Sequence, residues 1–117
     1  MTGDKVRRLL EQQFSAEGAA RILQVSGGFS YQYRLHAPAG QHVVQESIVL
    51  NGHAVSPTDV VRVAASDFLL AGGDGFTIFR EGADSTGGPV DVDALVDYVG
   101  AHSPVAPGPL NRVVRVD

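Results

Sequence analysis

The chain has 117 residues, of which 44% are hydrophobic and 19% charged, as expected for one globular domain or part of one and unlike a disordered chain. Its formal net charge of −4 leaves no basic surface to neutralise a phosphate backbone, so we expect no nucleic-acid partner. The lack of cysteine excludes disulfides, thiolate metal ligands and a cysteine nucleophile, and no apolar run approaches the ~20 residues of a membrane span.

The first predicted element is a helix that begins after Thr2. Threonine is a favourable N-cap, because its hydroxyl accepts a hydrogen bond from an otherwise unpaired backbone N–H of the first turn. Apolar residues then recur at helical spacing, at Val6, Leu9, Leu10 and Phe14. The pattern predicts a helix that ends shortly after Phe14 and has one apolar face.

Short strands separated by turns are predicted next. A strand is expected at Ile22–Val25, and Phe29–Leu35 alternates apolar and polar residues with a period of two. Pro38–Gly40 predicts a turn, His42–Leu50 a returning strand, and Asn51-Gly52 a second turn.

Further strands and a second helix are predicted in the rest of the chain. Val60–Ala65 is interpreted as a buried strand and Thr77–Phe79 as another, followed by a polar surface loop over Gly82–Pro89. Asp91 is the expected N-cap of the second helix. The apolar residues of this helix are Val92, Leu95, Val96 and Val99, and Ser103–Pro109 is expected to be irregular.

The chain closes on Arg112–Val116, which is predicted to be an edge strand because its arginines tolerate solvent. Strands between two main helices indicate an α+β fold with an antiparallel or mixed sheet. We treat residues 1–117 as a single domain, and as a partial one for the reason given below.

The stretch Gly72–Gly75, with the sequence GGDG, has two interpretations. Three glycines in four residues allow positive φ and close approach of the backbone to a ligand. With Asp74 as acceptor and Phe68 as a flat apolar ring, the stretch suits a ligand that has a π-face and hydroxyls. Asp-Gly between apolar runs is also typical of a plain tight turn, and an isolated Phe is often a core residue.

No other constellation in the sequence carries chemistry. The four histidines, at positions 36, 42, 53 and 102, lack metal-ligand spacing and are interpreted as surface or strand-face residues. GGDG is not a P-loop, because no Lys-Ser/Thr pair follows it. We therefore expect no catalytic residue and no metal site in this chain.

The segment Asp67–Phe76 resembles the C-terminal domain of the 5'-nucleotidase family, which includes UDP-sugar hydrolases. The family pattern is Asn or Asp, Phe-Leu, a short spacer, and GGDG followed by an aromatic residue. Ser66 departs from it, since many members have Asn there. Further stretches extend the resemblance over nearly the whole chain, at Ile22–Gly28 (ILQVSGG), Val90–Val99, Ser103–Val105 and Asn111–Val113.

The resemblance implies a substrate-binding role. The Phe that matches Phe68 stacks on the nucleobase, the Asp that matches Asp74 binds the ribose hydroxyls, and Gly72 and Gly73 contribute backbone. The partner would be a nucleotide or nucleoside, taken from nucleoside phosphates or UDP-sugars. The alternative is a non-catalytic interaction or structural module that retains the fold without ligand binding.

The resemblance also covers only the second half of such a domain. In the family, two divalent metal ions are held by a separate N-terminal metallophosphoesterase domain, which would be a further partner. We therefore expect a segment of a longer, exported enzyme that has no hydrolytic machinery of its own. We also expect the segment to self-associate through apolar surface left on the first helix and on Val60–Ala65.

Overall fold

A computed structural model describes residues 1–14 and 20–117. The helices are α1 (Gly3–Glu11), α2 (Asp67–Leu70) and α3 (Asp91–His102), and the strands are β1 (Phe29–Tyr33), β2 (Val49–Leu50), β3 (His53–Ala54) and β4 (Val113–Arg115). Short 3-10 helices lie at Gln12–Phe14, Gln45–Ser47, Gly73–Gly75 and Thr77–Glu81.

Helix α1 begins where the sequence predicts. The Thr2 hydroxyl accepts a hydrogen bond from the backbone N–H of Lys5 at 3.4 Å, which confirms Thr2 as the N-cap. Val6, Leu9 and Leu10 are buried along one face. The helix then tightens into the 3-10 turn that ends at Phe14.

The four strands form one mixed sheet in the order β3-β2-β1-β4. β1 pairs antiparallel with β2 and β2 with β3, whereas β4 runs parallel to β1 at the sheet edge. The β2–β3 turn has positive φ at both Asn51 (51°) and Gly52 (82°), as a two-residue hairpin of this hand requires. The α+β class and the edge position of the last strand are confirmed.

Two buried clusters lie on either side of α1. The larger cluster fills the space between α1 and the sheet, and burial within it raises the pKa of Tyr31. Its buried members are Val6, Leu10, Tyr31, Val43, Ile48 and Val55. The smaller cluster joins α1 to the chain that follows α2, and its buried members are Leu9, Phe76, Ile78 and Phe79.

Three predicted strands are wrong. Ile22–Val25 has no strand, because the Leu23 N–H donates to the Gln13 side chain at 2.7 Å rather than to a neighbouring strand. Val60–Ala65 keeps only an isolated bridge between Thr2 and Val60, and Val60 is 81% exposed. Thr77–Phe79 belongs to a 3-10 helix, which turns Ile78 and Phe79 together into the smaller cluster.

The returning strand predicted at His42–Leu50 is interrupted. Val43 bridges Tyr33, but the chain then forms the 3-10 turn Gln45–Ser47 before β2. The Ser47 hydroxyl accepts the backbone N–H of Gln32 at 2.7 Å, so a side chain replaces one rung of the sheet ladder.

Helix α3 forms as predicted, but it begins with Asp91 inside the helix and Val90 as the capping residue, so Asp91 is not the N-cap. No residue of α3 is buried, and Val92, Leu95 and Val96 are all more than half exposed. Of the two segments expected to leave apolar surface, the first helix is wrong, because Val6, Leu9 and Leu10 are buried, whereas Val60 is 81% exposed and α3 adds further apolar surface. Self-association through such surface stays a prediction. No helix in the described ranges 1–14 and 20–117 is long and apolar enough to cross a membrane.

Candidate functional site

The glycine-rich stretch is a tight loop that follows α2. Ser66 caps α2, since its hydroxyl accepts the N–H of Leu69 at 3.4 Å, so serine still serves as a cap at this departure from the family pattern. The loop then takes positive φ at Gly72 (84°), Asp74 (53°) and Gly75 (83°). Asp74 is the unusual member, because a side chain in the left-handed region costs ~1–2 kcal/mol, although aspartate tolerates it better than most residues.

The Phe68 ring lies against the backbone of Gly73. A Cβ atom added at Gly73 would sit 2.5 Å from two ring carbons, so only glycine lets the ring approach this closely. Phe68 is 57% exposed, and its ring is therefore not a core side chain. The interpretation of Phe68 as a core residue does not fit this exposure.

Asp74 follows directly after the glycine that supports the ring. Its side chain is 55% exposed, and its Oδ1 atom lies 3.3 Å from Nη1 of Arg21. The same arginine nitrogen donates to the main-chain oxygen of Asp74 at 3.4 Å. An accessible carboxylate paired with Arg21 thus follows, in the chain, the glycine against which the accessible aromatic ring lies.

Gly72 serves a different contact. Nε of Arg80 donates to the main-chain oxygen of Ala71 at 2.7 Å, and Nη2 of Arg80 donates to the same oxygen. A Cβ atom at Gly72 would lie 2.6 Å from Nε of Arg80, so the glycine provides both the positive φ and the room for the guanidinium group.

The residues that follow the loop hold it against the core. Phe76 and Phe79, which follow it, are buried against α1 and meet edge to face with ring centroids 6.4 Å apart. The Gln12 side chain donates to the Thr77 hydroxyl at 2.8 Å and accepts the Ile78 N–H at 3.1 Å. The loop that carries the exposed Phe68 ring and Asp74 carboxylate is therefore attached to a well-packed segment.

The sequence predicts Phe68, Gly72, Gly73 and Asp74 as site residues, and the structure places the Phe68 ring against Gly73, with Asp74 the next residue along the chain. Gly72 faces Arg80 instead of the ring. The two arginines were missed, because Arg21 lies 53 positions and Arg80 nine positions from the residues that they contact. No spacing rule connects such residues.

The described residues 1–14 and 20–117 contain no group of three His, Asp or Glu side chains that could hold a metal ion. His42, interpreted as a surface or strand-face residue, is buried, and its Nδ1 lies 3.1 Å from the Glu11 carboxylate. That carboxylate also accepts the N–H of Val43 at 2.7 Å, so the pair joins α1 to the sheet. The two metal ions implied by the family do not fit this part of the chain.

Comparison with known proteins gives one family and several relatives. The family described as "5'-nucleotidase, C-terminal domain" matches residues 1–81, a range that contains the whole loop. A "5'-nucleotidase-related protein" of Glossina morsitans morsitans is 34% identical over 106 residues, which is 82% of this chain and 18% of the relative.

Two other relatives give the same result. The "Trifunctional nucleotide phosphoesterase protein YfkN" of Bacillus subtilis (strain 168) is 35% identical over 86 residues, or 69% of this chain and 6% of the relative. An "Apyrase" of Tabanus yao is 31% identical over 99 residues, or 79% of this chain and 18% of the relative. The chain thus spans less than a fifth of the length of these proteins, and it belongs to the family of 5'-nucleotidase C-terminal domains.

Proposed function

We propose that this chain binds the base and ribose of a nucleotide for a phosphoesterase of the 5'-nucleotidase type. Phe68 stacks on the base, Asp74 accepts hydrogen bonds from the ribose hydroxyls, and the backbone of Gly72 and Gly73 shapes the wall between them. The observation that carries the proposal is the exposed Phe68 ring held against Gly73, one residue from an exposed carboxylate.

The two contacts suit the chemistry of a nucleoside. Stacking of a base on an aromatic ring contributes ~1–3 kcal/mol and tolerates any base. Hydrogen bonds from hydroxyls to a charged acceptor contribute ~1.5–3 kcal/mol. The left-handed backbone at Asp74 is an observed outlier in a non-glycine residue, and such outliers concentrate at ligand sites.

The substrates would be nucleoside phosphates or UDP-sugars, and hydrolysis would be carried out by a metallophosphoesterase domain of a longer, exported protein. The described residues contain no group of three side chains that could hold a metal ion, and in this proposal the chain contributes binding and orientation of the substrate. The relatives named as a nucleotide phosphoesterase and an apyrase support this assignment.

Titration of the 117-residue chain with uridine, followed by NMR at the backbone amides of residues 68, 73 and 74, tests the proposal. We expect Phe68→Ala and Asp74→Asn each to weaken binding about tenfold to a hundredfold, since each removes ~1–3 kcal/mol. Tyr98→Ala removes an aromatic ring of similar exposure from α3 and should change nothing.

Asp84→Asn is the matched control for Asp74→Asn, because Asp84 also has a positive φ (55°) and lies on the exposed loop 82–89. Loss of affinity at Asp74 alone, with unchanged melting temperature, supports the site. Absence of shifts in the wild-type chain would instead favour the interaction module that keeps the fold without a ligand.

A further inference from the structure

We infer that Arg21 is a positioning residue, which holds the Asp74 carboxylate in the orientation that receives the ribose diol. The inference rests on the proposed function and extends it to a residue outside the glycine loop. Its basis is the double contact of one arginine nitrogen, Nη1, with Oδ1 of Asp74 at 3.3 Å and with the main-chain oxygen of Asp74 at 3.4 Å.

Without a partner, the Asp74 carboxylate would be free to rotate. It is more than half exposed and stands on a left-handed backbone. A guanidinium group that hydrogen-bonds the main-chain oxygen of Asp74 and forms an ion pair with its carboxylate restricts the rotation of that side chain. With Oδ1 paired to the arginine, Oδ2 keeps its lone pairs available to accept hydrogen bonds from a diol.

Arg21 is itself held at a fixed point. Its backbone N–H donates to the main-chain oxygen of Gln13 at 3.0 Å, and two residues later the N–H of Leu23 donates to Oε1 of Gln13 at 2.7 Å. Gln13 is only 1% exposed and also bonds the Tyr31 hydroxyl at 2.9 Å. The arginine therefore extends from a segment that is anchored to the buried Gln13 at Arg21 and again at Leu23.

The contact is unsuited to a purely stabilising role. Arg21 and Asp74 are 65% and 55% exposed, and ion pairs between exposed side chains contribute ~0–1 kcal/mol to folding. Fixing a ligand-binding group in its productive orientation needs little folding energy and raises affinity, because less freedom is lost on binding.

The test compares uridine with 2',3'-dideoxyuridine, which keeps the base and lacks the diol. We expect the wild-type chain to prefer uridine about tenfold or more, as hydrogen bonds to a carboxylate predict. Arg21→Met should lower this preference at least about threefold and leave the affinity for dideoxyuridine unchanged. Arg62→Met, which removes a charge from an exposed position ahead of α2, is the matched control.

The outcomes distinguish the role of Arg21 from the proposed nucleotide-binding function. A preference that Asp74→Asn abolishes and Arg21→Met leaves intact would overturn the role of Arg21 and keep the proposed function. Equal losses for both nucleosides in Arg21→Met, with a lower melting temperature, would mean that Arg21 only supports the fold. A wild-type chain that shows no preference, or no binding, would overturn the proposed function itself.

Discussion

Helices α1 and α3 have similar lengths and both carry apolar residues at helical spacing, yet only α1 is packed. α1 buries Val6, Leu9 and Leu10, and its Arg8 side chain forms an ion pair with Glu81. In α3 no residue is buried, and its last turn bonds internally, with Nδ1 of His102 2.8 Å from the main-chain oxygen of Tyr98. A local pattern therefore determines that a helix forms, whereas burial depends on what lies opposite.

Burial of side chains also distinguishes residues 1–81 from the rest of the chain. All the residues of both core clusters lie in the first region, which is also the region that matches the family. From residue 82 onward only Val113 of β4 is even partly buried. The candidate loop is followed directly by the buried Phe76, Ile78 and Phe79, and this packing maintains the tight, left-handed backbone of the loop.

Removing one large side chain from each region should give the largest difference in stability. Ile48 is fully buried, so Ile48→Ala should lower the free energy of unfolding by ~2–5 kcal/mol. Leu95 on α3 is 60% exposed, and Leu95→Ala should stay within ~0.5 kcal/mol. Urea denaturation measures both, and a large loss at Leu95 would show that α3 has a packed face.

Glycines of the two regions provide the next contrast. Gly72→Ala introduces a side chain at φ 84° against the Arg80 guanidinium, so we expect a loss of ~1–3 kcal/mol. Gly88 has nothing within 4 Å of an added Cβ, and Gly88→Ala should be neutral or stabilising by ~0.4–1 kcal/mol. Thermal unfolding of the two variants checks the prediction, which equal losses would contradict.

A substitution inside α3 tests whether this helix unfolds independently of the core. Gly100→Ala adds a methyl group to open space within the helix, which favours that helix by ~0.5–1 kcal/mol. Because α3 does not pack on the core, the helical circular-dichroism signal should rise while the unfolding midpoint of the core, followed by NMR of Ile48, stays constant. A parallel rise of that midpoint would show that α3 and the core unfold together.

The smallest expected effect concerns Asp117, whose carboxylate accepts hydrogen bonds from the backbone just after β1. The backbone N–H groups of His36 (2.7 Å) and Leu35 (2.9 Å), together with Arg115, hold the pKa of Asp117 below its ordinary value of 3.8. A lowered pKa in the folded state means that the stabilisation is present above about pH 4 and is lost as the pH falls below it.

Asp117→Asn should remove that part of the acid dependence, measured as unfolding between pH 5 and pH 2. Asp97→Asn on the exposed α3 serves as its control. If the unfolding of both variants depends on pH as that of the wild type does, Asp117 does not stabilise the pairing of β4 with β1.

Local chemistry explains what could be predicted from the sequence. The Thr2 cap, the Asn51-Gly52 turn and the alternating strand depend on residues close in the chain. The cap and the turn are present, and the strand predicted over Phe29–Leu35 forms as β1 but ends at Tyr33. Phe68 and Asp74 could be named together for the same reason. The strand predicted at Val60–Ala65 failed because an apolar run specifies burial only where another element covers it.

The contacts of Arg21 and Arg80 could not be predicted from the sequence. Arg21 reaches Asp74 across 53 residues, and the path depends on how Gln13 fastens the segment that carries the arginine. Such a contact has no period and no neighbouring signal. It follows from the packing of α1 against the sheet, which the sequence pattern indicates only in outline.

The parallel pairing of β1 with β4 has a consequence for the order of events during synthesis. Tyr31 pairs with Val113, so about 80 residues must follow β1 before its partner exists. At ~5–20 residues per second, the β4 side of β1 stays unpaired on the ribosome for about 4–16 seconds. Closing so long a loop comes late in folding. Until then the strand that carries the buried Tyr31 is an open edge, and open edges recruit other nascent chains.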